Sequence, residues 1–289
     1  MKYFFFFYFN WKFKNWYVII QKNFSLISSN NIGIVGGGIS GLACANILEE
    51  KKCNYSLYEK SKRLGGLISC SIEQGNLFHR VGGHVFNSKD EMVSEWFWKK
   101  FDKKKDFLKA KRNAVIFING KFINYPIELN LDQLEPSLAQ KVVDELIQLS
   151  KNNYQKKNSS FEEFLKNNFG ESLYNFYFEK YNKKIWNRDL NEIPIGWLDQ
   201  KLPMIKPRDI LLKNIYSSKE DNMVHSTFFY PKQGGSQFIV DRLSENINKV
   251  NEEISEISSK ANYLYLNNKA KAFSSIVYTG DVRLLSKIL

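Results

Sequence analysis

The chain has 289 residues, of which 43% are hydrophobic, and a net charge of +12. That length and hydrophobic share suit a globular protein with one large or two modest domains. Cys44, Cys53 and Cys70 form neither a metal-spaced pair nor an even disulfide set, which argues for a reducing, cytoplasmic setting and against a metal centre. The positive charge comes from scattered lysines and a dense run from Lys99 to Lys105. No nucleic-acid motif accompanies it, so an anionic small molecule or an anionic membrane surface fits the charge better than nucleic acid.

In chain order, the first 30 residues stand apart. Twelve of them are aromatic and no acid precedes Glu49. The run YFFFFYF at residues 3–9 is too short to span a bilayer, and Lys12 and Lys14 interrupt the apolar character just beyond it. Residues 1–30 are expected to be an aromatic, basic extension outside the fold, or an interfacial anchor in peripheral contact with a membrane. The fold is expected to begin near Asn31.

Residues 32–66, IGIVGGGISGLACANILEEKKCNYSLYEKSKRLGG, follow a strand–turn–helix–strand–turn pattern. Ile32 to Val35 is a short apolar run of the buried parallel-strand kind. Gly36, Gly38 and Gly41 complete G-x-G-x-x-G. Gly36 permits the tight turn, Gly38 lets a pyrophosphate approach the backbone, and Gly41 lets the helix pack closely on the strand. The helix start, Ile39, Ser40 and Gly41, offers free N–H groups and a partial positive charge to phosphate. Tyr55 to Tyr58 supplies the second strand, which ends in Glu59, placed to accept hydrogen bonds from a ribose diol. Strand, helix, strand and acid in register point to dinucleotide binding on a Rossmann-like α/β fold.

After Glu59 come Lys60, Arg63, Gly65 and Gly66 in an E-x-x-x-R-x-G-G run. This segment resembles the FAD-binding start of the glutathione-reductase-like flavoproteins. Within them it is most similar to the branch of amine oxidases, protoporphyrinogen oxidases and UDP-galactopyranose mutases. The resemblance implies FAD as cofactor, with Arg63, Gly65 and Gly66 against its phosphates. It also implies a mostly helical substrate domain inserted into the FAD fold. The expected division is 31–125 for the first part of the FAD domain, 126–225 for the insert and 226–289 for the return.

Leu67 to Ile72 and Leu77 to Arg80 are expected as strands around a turn at Gln74-Gly75-Asn76. Gly82-Gly83-His84-Val85-Phe86-Asn87 comes next and resembles the G-x-H-x-F-H segment of the mutases. This implies a loop along the flavin ring, with Gly82, Gly83 and His84 on the cofactor and His84 as the candidate catalytic residue. Asn87 stands where the mutases have a second histidine. Residues 91–111 are expected as one amphipathic helix with Met92, Val93, Trp96, Phe97, Phe101 and Leu108 on its apolar face. Asn119-Gly120 between two apolar runs predicts a two-residue hairpin turn. Pro136 to Ser150 is expected as a helix, and Ser160 with Glu163 as a capping box opening the next.

Residues 169–203 resemble the mutase and protoporphyrinogen-oxidase segment in which a tyrosine precedes K-x-W. The resemblance implies substrate contacts from Tyr181, Lys184 and Trp186. Aligned on Leu202-Pro203, the position of the mutases' diphosphate-binding arginine holds Ile205. Phe228 to Gly235 resembles the Y-P-x-x-G-G step that returns the chain to the FAD domain, with a helix at Ser236 to Ile247. Strands are expected at Lys249–Ile254, Tyr263–Leu266 and Ser274–Tyr278, the last leading into Thr279-Gly280-Asp281. Family members continue beyond such a strand to a closing Gly-Asp segment, so the fold is expected to be incomplete at Leu289. The resemblance implies an FAD-dependent oxidoreductase of the amine-oxidase and protoporphyrinogen-oxidase type. Its alternatives are a mutase-like flavoprotein acting on a sugar nucleotide for cell-surface polysaccharide, and a truncated nucleotide-binding protein without catalysis.

Overall fold

The computed structural model describes residues 31–151, 158–198, 206–216, 227–260 and 263–289, with the backbone of strands at 4–9 and 16–21. The chain divides into two compact units, residues 1–110 with 227–289, and residues 111–226.

The first unit is built on a six-stranded sheet. Its strands are β1 (Phe4–Phe9), β2 (Trp16–Gln21), β3 (Asn31–Val35), β4 (Asn54–Glu59), the later β11 (Lys249–Asn251) and the last, β15 (Ser275–Tyr278). Their order is β1-β2-β15-β3-β4-β11. β15, β3, β4 and β11 run parallel, with Ile276 beside Gly33 and Ile34 beside Leu57. Helix α1 (Ile39–Glu50) makes the crossover from β3 to β4. The aromatic N-terminal segment, expected outside the fold, instead adds an antiparallel hairpin to the free edge of β15, Val277 opposite Ile19. Runs of Phe, Tyr, Trp, Val and Ile have high strand propensity, and an open sheet edge is a ready template for them.

Strand pleating splits the apolar residues between the two faces. Ile34, Tyr55 and Leu57 point to one side and Val35, Tyr58 and Ile276 to the other. α1, α2 (Glu91–Lys100) and α8 (Gln237–Ser244) cover the first side through Leu42, Ala45, Phe97, Val240 and Leu243. The second side lies under a three-stranded meander, β12 (Ile257–Lys260), β13 (Tyr263–Leu266) and β14 (Ala272–Phe273), and under α9 (Val282–Ile288). Asp281 caps α9 by accepting the Arg283 N–H at 3.0 Å. The Arg283 guanidinium and that N–H hold its carboxyl down to about 2.

Two expected elements change. The 91–111 helix stops at Lys100, and Phe107–Lys111 forms β7, paired with β10 (Thr227–Pro231). The Asp102 carboxylate accepts the N–H groups of Lys104 and Lys105 at 2.9 and 2.8 Å, which closes a turn that a continuous helix cannot contain. The turn delivers Phe107 into an aromatic cluster with Phe97, Trp98 and Phe101, while Leu108 stays exposed. The expected Leu67–Ile72 strand starts only at Cys70. A tight turn at Gly66–Ile68 precedes β5 (Cys70–Glu73), which pairs with β6 (Asn76–His79).

The second unit contains hairpin β8 (Val115–Ile118) and β9 (Lys121–Asn124), with Asn119 and Gly120 in the left-handed region. This is the two-residue turn its sequence predicts. Ile116, Ile118 and Ile123 pack on this unit's own core, so the chain passes between units at 110/111 rather than at 125/126. Helices α3 (Pro136–Lys151), α4 (Phe161–Phe169), α5 (Glu171–Leu173), α6 (Glu179–Trp186) and α7 (Pro207–Ile215) complete it, with a π turn at Tyr174–Phe178 ahead of α6. Ser160 caps α4 as expected, accepting the Glu163 N–H. The return arm of the box reaches Ser159 instead, whose N–H donates to the Glu163 carboxylate at 2.9 Å. Among the described residues no helix is long and apolar enough to cross a membrane, and no cluster of His, Cys, Asp or Glu has the make-up of a metal site.

Leu57 lies fully buried on β4, an inner strand between β3 and β11. Leu57→Ala is expected to cost about 3 kcal/mol and lower the thermal midpoint by roughly 8 °C, read by calorimetry. A shift under about 2 °C would mean that this strand does not carry the core.

Candidate functional site

The glycines of the β3–α1 turn do separate physical work. Gly36 takes φ +112°, and its N–H donates to the Tyr58 carbonyl at 2.8 Å, which ends β3 against β4. A Cβ on Gly41 would overlap the Gly36 carbonyl oxygen, so the helix reaches the strand only because that carbon is missing. Gly38 differs from both. Its φ of −74° suits any residue, and a Cβ there would meet only the Gly66 Cα, at 4.0 Å. Space is therefore held open in front of Gly38, between two backbones bridged at Gly38 and Gly65. No side chain caps the start of α1 and its first turn carries no acid. Ile39 and Ser40 are exposed there. The helix terminus thus keeps its positive end and unfilled N–H groups for an anion.

Glu59 sits at the end of β4 as expected, with a second task the sequence did not disclose. One carboxylate oxygen accepts the Gly37 N–H at 2.7 Å and the other the Ser61 N–H at 2.8 Å. Each retains a lone pair for a ribose hydroxyl. Gly37 itself was missed: a Cβ there would collide with Leu64 and press on Glu59. Gly65 and Gly66 have φ of +118° and +52°, and the Gly65 N–H donates to the Gly37 carbonyl at 2.9 Å. Arg63 is exposed, with no ion-pair partner among the described residues. Lys60 is drawn to Glu253 at 3.5 Å, in a largely exposed pair worth little stability.

Gly82 and Gly83 are exposed, and nothing lies within 4 Å of a Cβ built on either. His84 is half-buried, and its Nδ1 is buried with no hydrogen-bond partner among the described residues. A buried polar atom left unpaired is costly; the same holds among the described residues for the Tyr55 hydroxyl and the Trp96 and Trp197 ring nitrogens. Asn87 is structural, its amide donating to the Thr227 carbonyl at 2.6 Å. Phe86 and Phe229 exchange backbone hydrogen bonds of 2.9 and 2.8 Å, fixing the loop to β10. Cys44, on α1, packs against the core, and burial pushes its thiol up to about 11, as befits an inert core residue.

In the second unit Tyr181 and Lys184 share a face of α6, three residues apart, whereas Trp186 lies roughly 140° round the helix from Tyr181. Tyr181 stacks on Tyr177 at 5.1 Å, and the Trp186 and Trp197 rings meet tilted at 4.8 Å. Arg112 was not singled out from the sequence. The guanidinium lies over the Tyr125 ring at 4.7 Å, and burial raises the Tyr125 hydroxyl above its ordinary value. Ile205 falls outside the described residues.

The description of an NAD(P)-binding Rossmann-like domain matches residues 34–101. The dTDP-fucopyranose mutase of Escherichia coli is 29% identical over 185 residues, taking in 61% of this chain and 46% of that enzyme. Reduced UDP-galactopyranose mutase superposes with a TM-score of 0.78 at 21% identity, over 90% of this chain and 57% of that one. A protein of Exiguobacterium sp. 255-15 assigned as a protoporphyrinogen oxidase gives a TM-score of 0.67 at 18% identity, over 91% and 62%. Residues 34–101 carry a Rossmann-like dinucleotide-binding domain, and the chain shares its fold with these flavoprotein-type neighbours. The cofactor that the sequence resemblance and this fold imply is FAD. The site residues fit it, since the open space at Gly38 and Gly66 and the unpaired His84 nitrogen are what a dinucleotide and a polar ring would fill. The chain spans about half the length of the relatives it matches.

Gly38→Ala and Gly41→Ala separate ligand space from fold space. Gly38→Ala is expected to keep the thermal midpoint and lose at least about tenfold in FAD affinity by titration, because the added methyl fills only the open space. Gly41→Ala is expected to lower the midpoint of the apoprotein. Glu59→Ala is expected to lower both, by removing two charge-assisted bonds to backbone N–H groups, about 2 kcal/mol. Equal stability of all three variants would contradict this division.

Proposed function

We propose that this is an FAD-dependent enzyme of the sugar-nucleotide mutase type. The observation that carries the FAD reading is the unfilled space between Gly38 and Gly66, at the uncapped start of α1 and next to the Glu59 carboxylate. The mutase reading is supported by the likeness to dTDP-fucopyranose mutase and UDP-galactopyranose mutase. In this reading the N–H groups of Ile39, Ser40 and Gly41 bind the pyrophosphate, Arg63 adds a guanidinium fork to it, and Glu59 takes the adenosine ribose. The Gly82-Gly83 backbone lies along the flavin, and His84 Nδ1 finds its partner there. Bound FAD supplies the reacting ring, nucleophilic toward an anomeric sugar carbon when reduced. Tyr181 and Lys184 hold the nucleotide diphosphate, and Trp186 stacks on a base or sugar face.

A second reading is a net-redox flavoprotein of the oxidase type. It is supported by Asn87, which stands in place of the mutases' second histidine and spends its amide on Thr227. That position cannot move a proton.

Purified protein, reduced with dithionite, is to be incubated with UDP-galactopyranose and with dTDP-fucopyranose, and the products separated by chromatography. The mutase reading expects furanose product only from reduced protein, without oxygen uptake. Oxygen consumption with an amine or amino-acid substrate would replace it with the oxidase reading. Absence of flavin absorbance after reconstitution would overturn both.

A further inference from the structure

Four polar side chains behind the glycine turns form one continuous chain of hydrogen bonds, and elementary accounting fixes its direction. The Ile68 carbonyl only accepts, so the Ser236 hydroxyl, 2.6 Å away, donates to it. Ser236 Oγ then has only lone pairs to offer Cys70 Sγ at 3.0 Å, so the thiol donates to the serine. The thiol also lies 3.6 Å from the same carbonyl, and either way its proton is spent away from His79. Cys70 Sγ is thus the acceptor for His79 Nδ1 at 3.2 Å, and Nδ1 carries the ring proton. In the neutral ring Nε2 is bare and accepts the Tyr230 hydroxyl at 2.7 Å. Read this way, every hydrogen in the chain has an acceptor. Cys70 and Ser236 are 0% and 1% exposed, so water cannot substitute for a missing member.

The placement of this chain gives it a role. Ile68 closes the turn begun by Gly65 and Gly66. Cys70 and His79 are cross-strand partners on β5 and β6, and His79 stands three residues before Gly82. Tyr230 and Ser236 flank Gly234 and Gly235. A Cβ on Gly235, which has φ +58°, would fall 2.7 Å from Leu77 Cδ2, 3.0 Å from the Tyr230 oxygen and 3.2 Å from Cys70 Sγ. The Cys70 N–H is tied in turn to Gln237 Oε1 at 3.2 Å, at the start of α8.

We propose that His79, clamped between Cys70 and Tyr230, is a positioning residue for the cofactor: the Tyr230–His79–Cys70–Ser236 chain locks three glycine turns, 65–66, 82–83 and 234–235, into one rigid frame. The role rests on the FAD reading. The turns themselves need backbone freedom to approach a ligand, and without the lock that freedom is motion rather than shape.

The test uses the full chain with Tyr230→Phe, Cys70→Ala and Cys70→Ser. Hydrogen exchange by mass spectrometry on the apoprotein is to track peptides covering the three turns, and titration is to give the FAD dissociation constant. Tyr230→Phe and Cys70→Ala are expected to speed exchange at all three turns and to weaken FAD about tenfold. Cys70→Ser, whose hydroxyl can replace the thiol at both bonds, is expected to restore both readouts. Nitrogen-15 NMR is expected to show His79 as the neutral Nδ1–H tautomer. Should Cys70→Ala fail to fold, Tyr230→Phe, which removes a single oxygen, decides alone. Faster exchange confined to the substituted strand, Cys70→Ser behaving as alanine, or an Nε2–H tautomer would each overturn the lock. Variants with wild-type FAD affinity would overturn the cofactor role while leaving the FAD reading intact. A wild-type chain without FAD affinity overturns that reading, and the role with it.

Discussion

The first unit depends on how closely the start of α1 approaches the end of β3. The backbone of Gly41 lies against the Gly36 carbonyl, at a separation that no side chain survives. Thr279, just beyond β15, braces the same point, its N–H donating to the Val35 carbonyl at 2.8 Å and its hydroxyl to the Val35 and Gly36 carbonyls at 3.1 and 3.0 Å. The turn is therefore held from the helix on one side and from the last sheet strand on the other. With that point fixed, β15, β3 and β4 lie in register, α1 covers one face of the sheet, and its N-terminus faces outward with its N–H groups unspent.

Register at this turn also sets the electrostatics. The Glu59 carboxylate is brought to the Gly37 and Ser61 N–H groups because β4 ends level with the turn. A negative group beside the positive end of α1 would compete with phosphate if it pointed into the gap. Bonded to these backbone donors it is held at the side, where the FAD reading places a sugar rather than an anion. In the FAD reading proposed above, Arg63 and the uncapped helix start would attract the pyrophosphate, and Glu59 beside them would select the ribose without cancelling that attraction.

Much of this was legible in the sequence because it rests on local rules. The βαβ unit, the Asn119-Gly120 hairpin, the Ser160 cap and a strand at Ser274–Tyr278 all follow from periodicity and turn chemistry. The failures are of another kind. The 91–111 helix was broken by Asp102, a residue whose side chain competes with the helix for backbone N–H groups, and by the pull of an aromatic cluster on Phe107. The N-terminal strands looked like an appendage because what ties their hairpin to the sheet, β15 beside β2, lies more than 250 residues away. His79 was passed over for the same reason. In the strand Asn76–His79 it is an ordinary polar end residue, and its meaning comes from Cys70, Tyr230 and Ser236, brought together only by the fold.

The glycines show how fold and site can be told apart without a bound ligand. At Gly41 and Gly37 the chain itself occupies the position of the absent side chain, so glycine is needed for packing. At Gly36 the backbone angle demands it. At Gly38 neither reason holds: the angle is ordinary and the space is open. A protein that left a position small for no reason of its own would be giving up unfolded-state restriction that alanine supplies. What remains is a requirement set by something outside the chain. Gly83 has the same character, and lies beside the one histidine whose ring nitrogen is buried without a partner among the described residues. Gly38, at a helix N-terminus, and Gly83, beside an unpaired imidazole, suit the proposed FAD, which is anionic along its pyrophosphate and polar and planar at its ring.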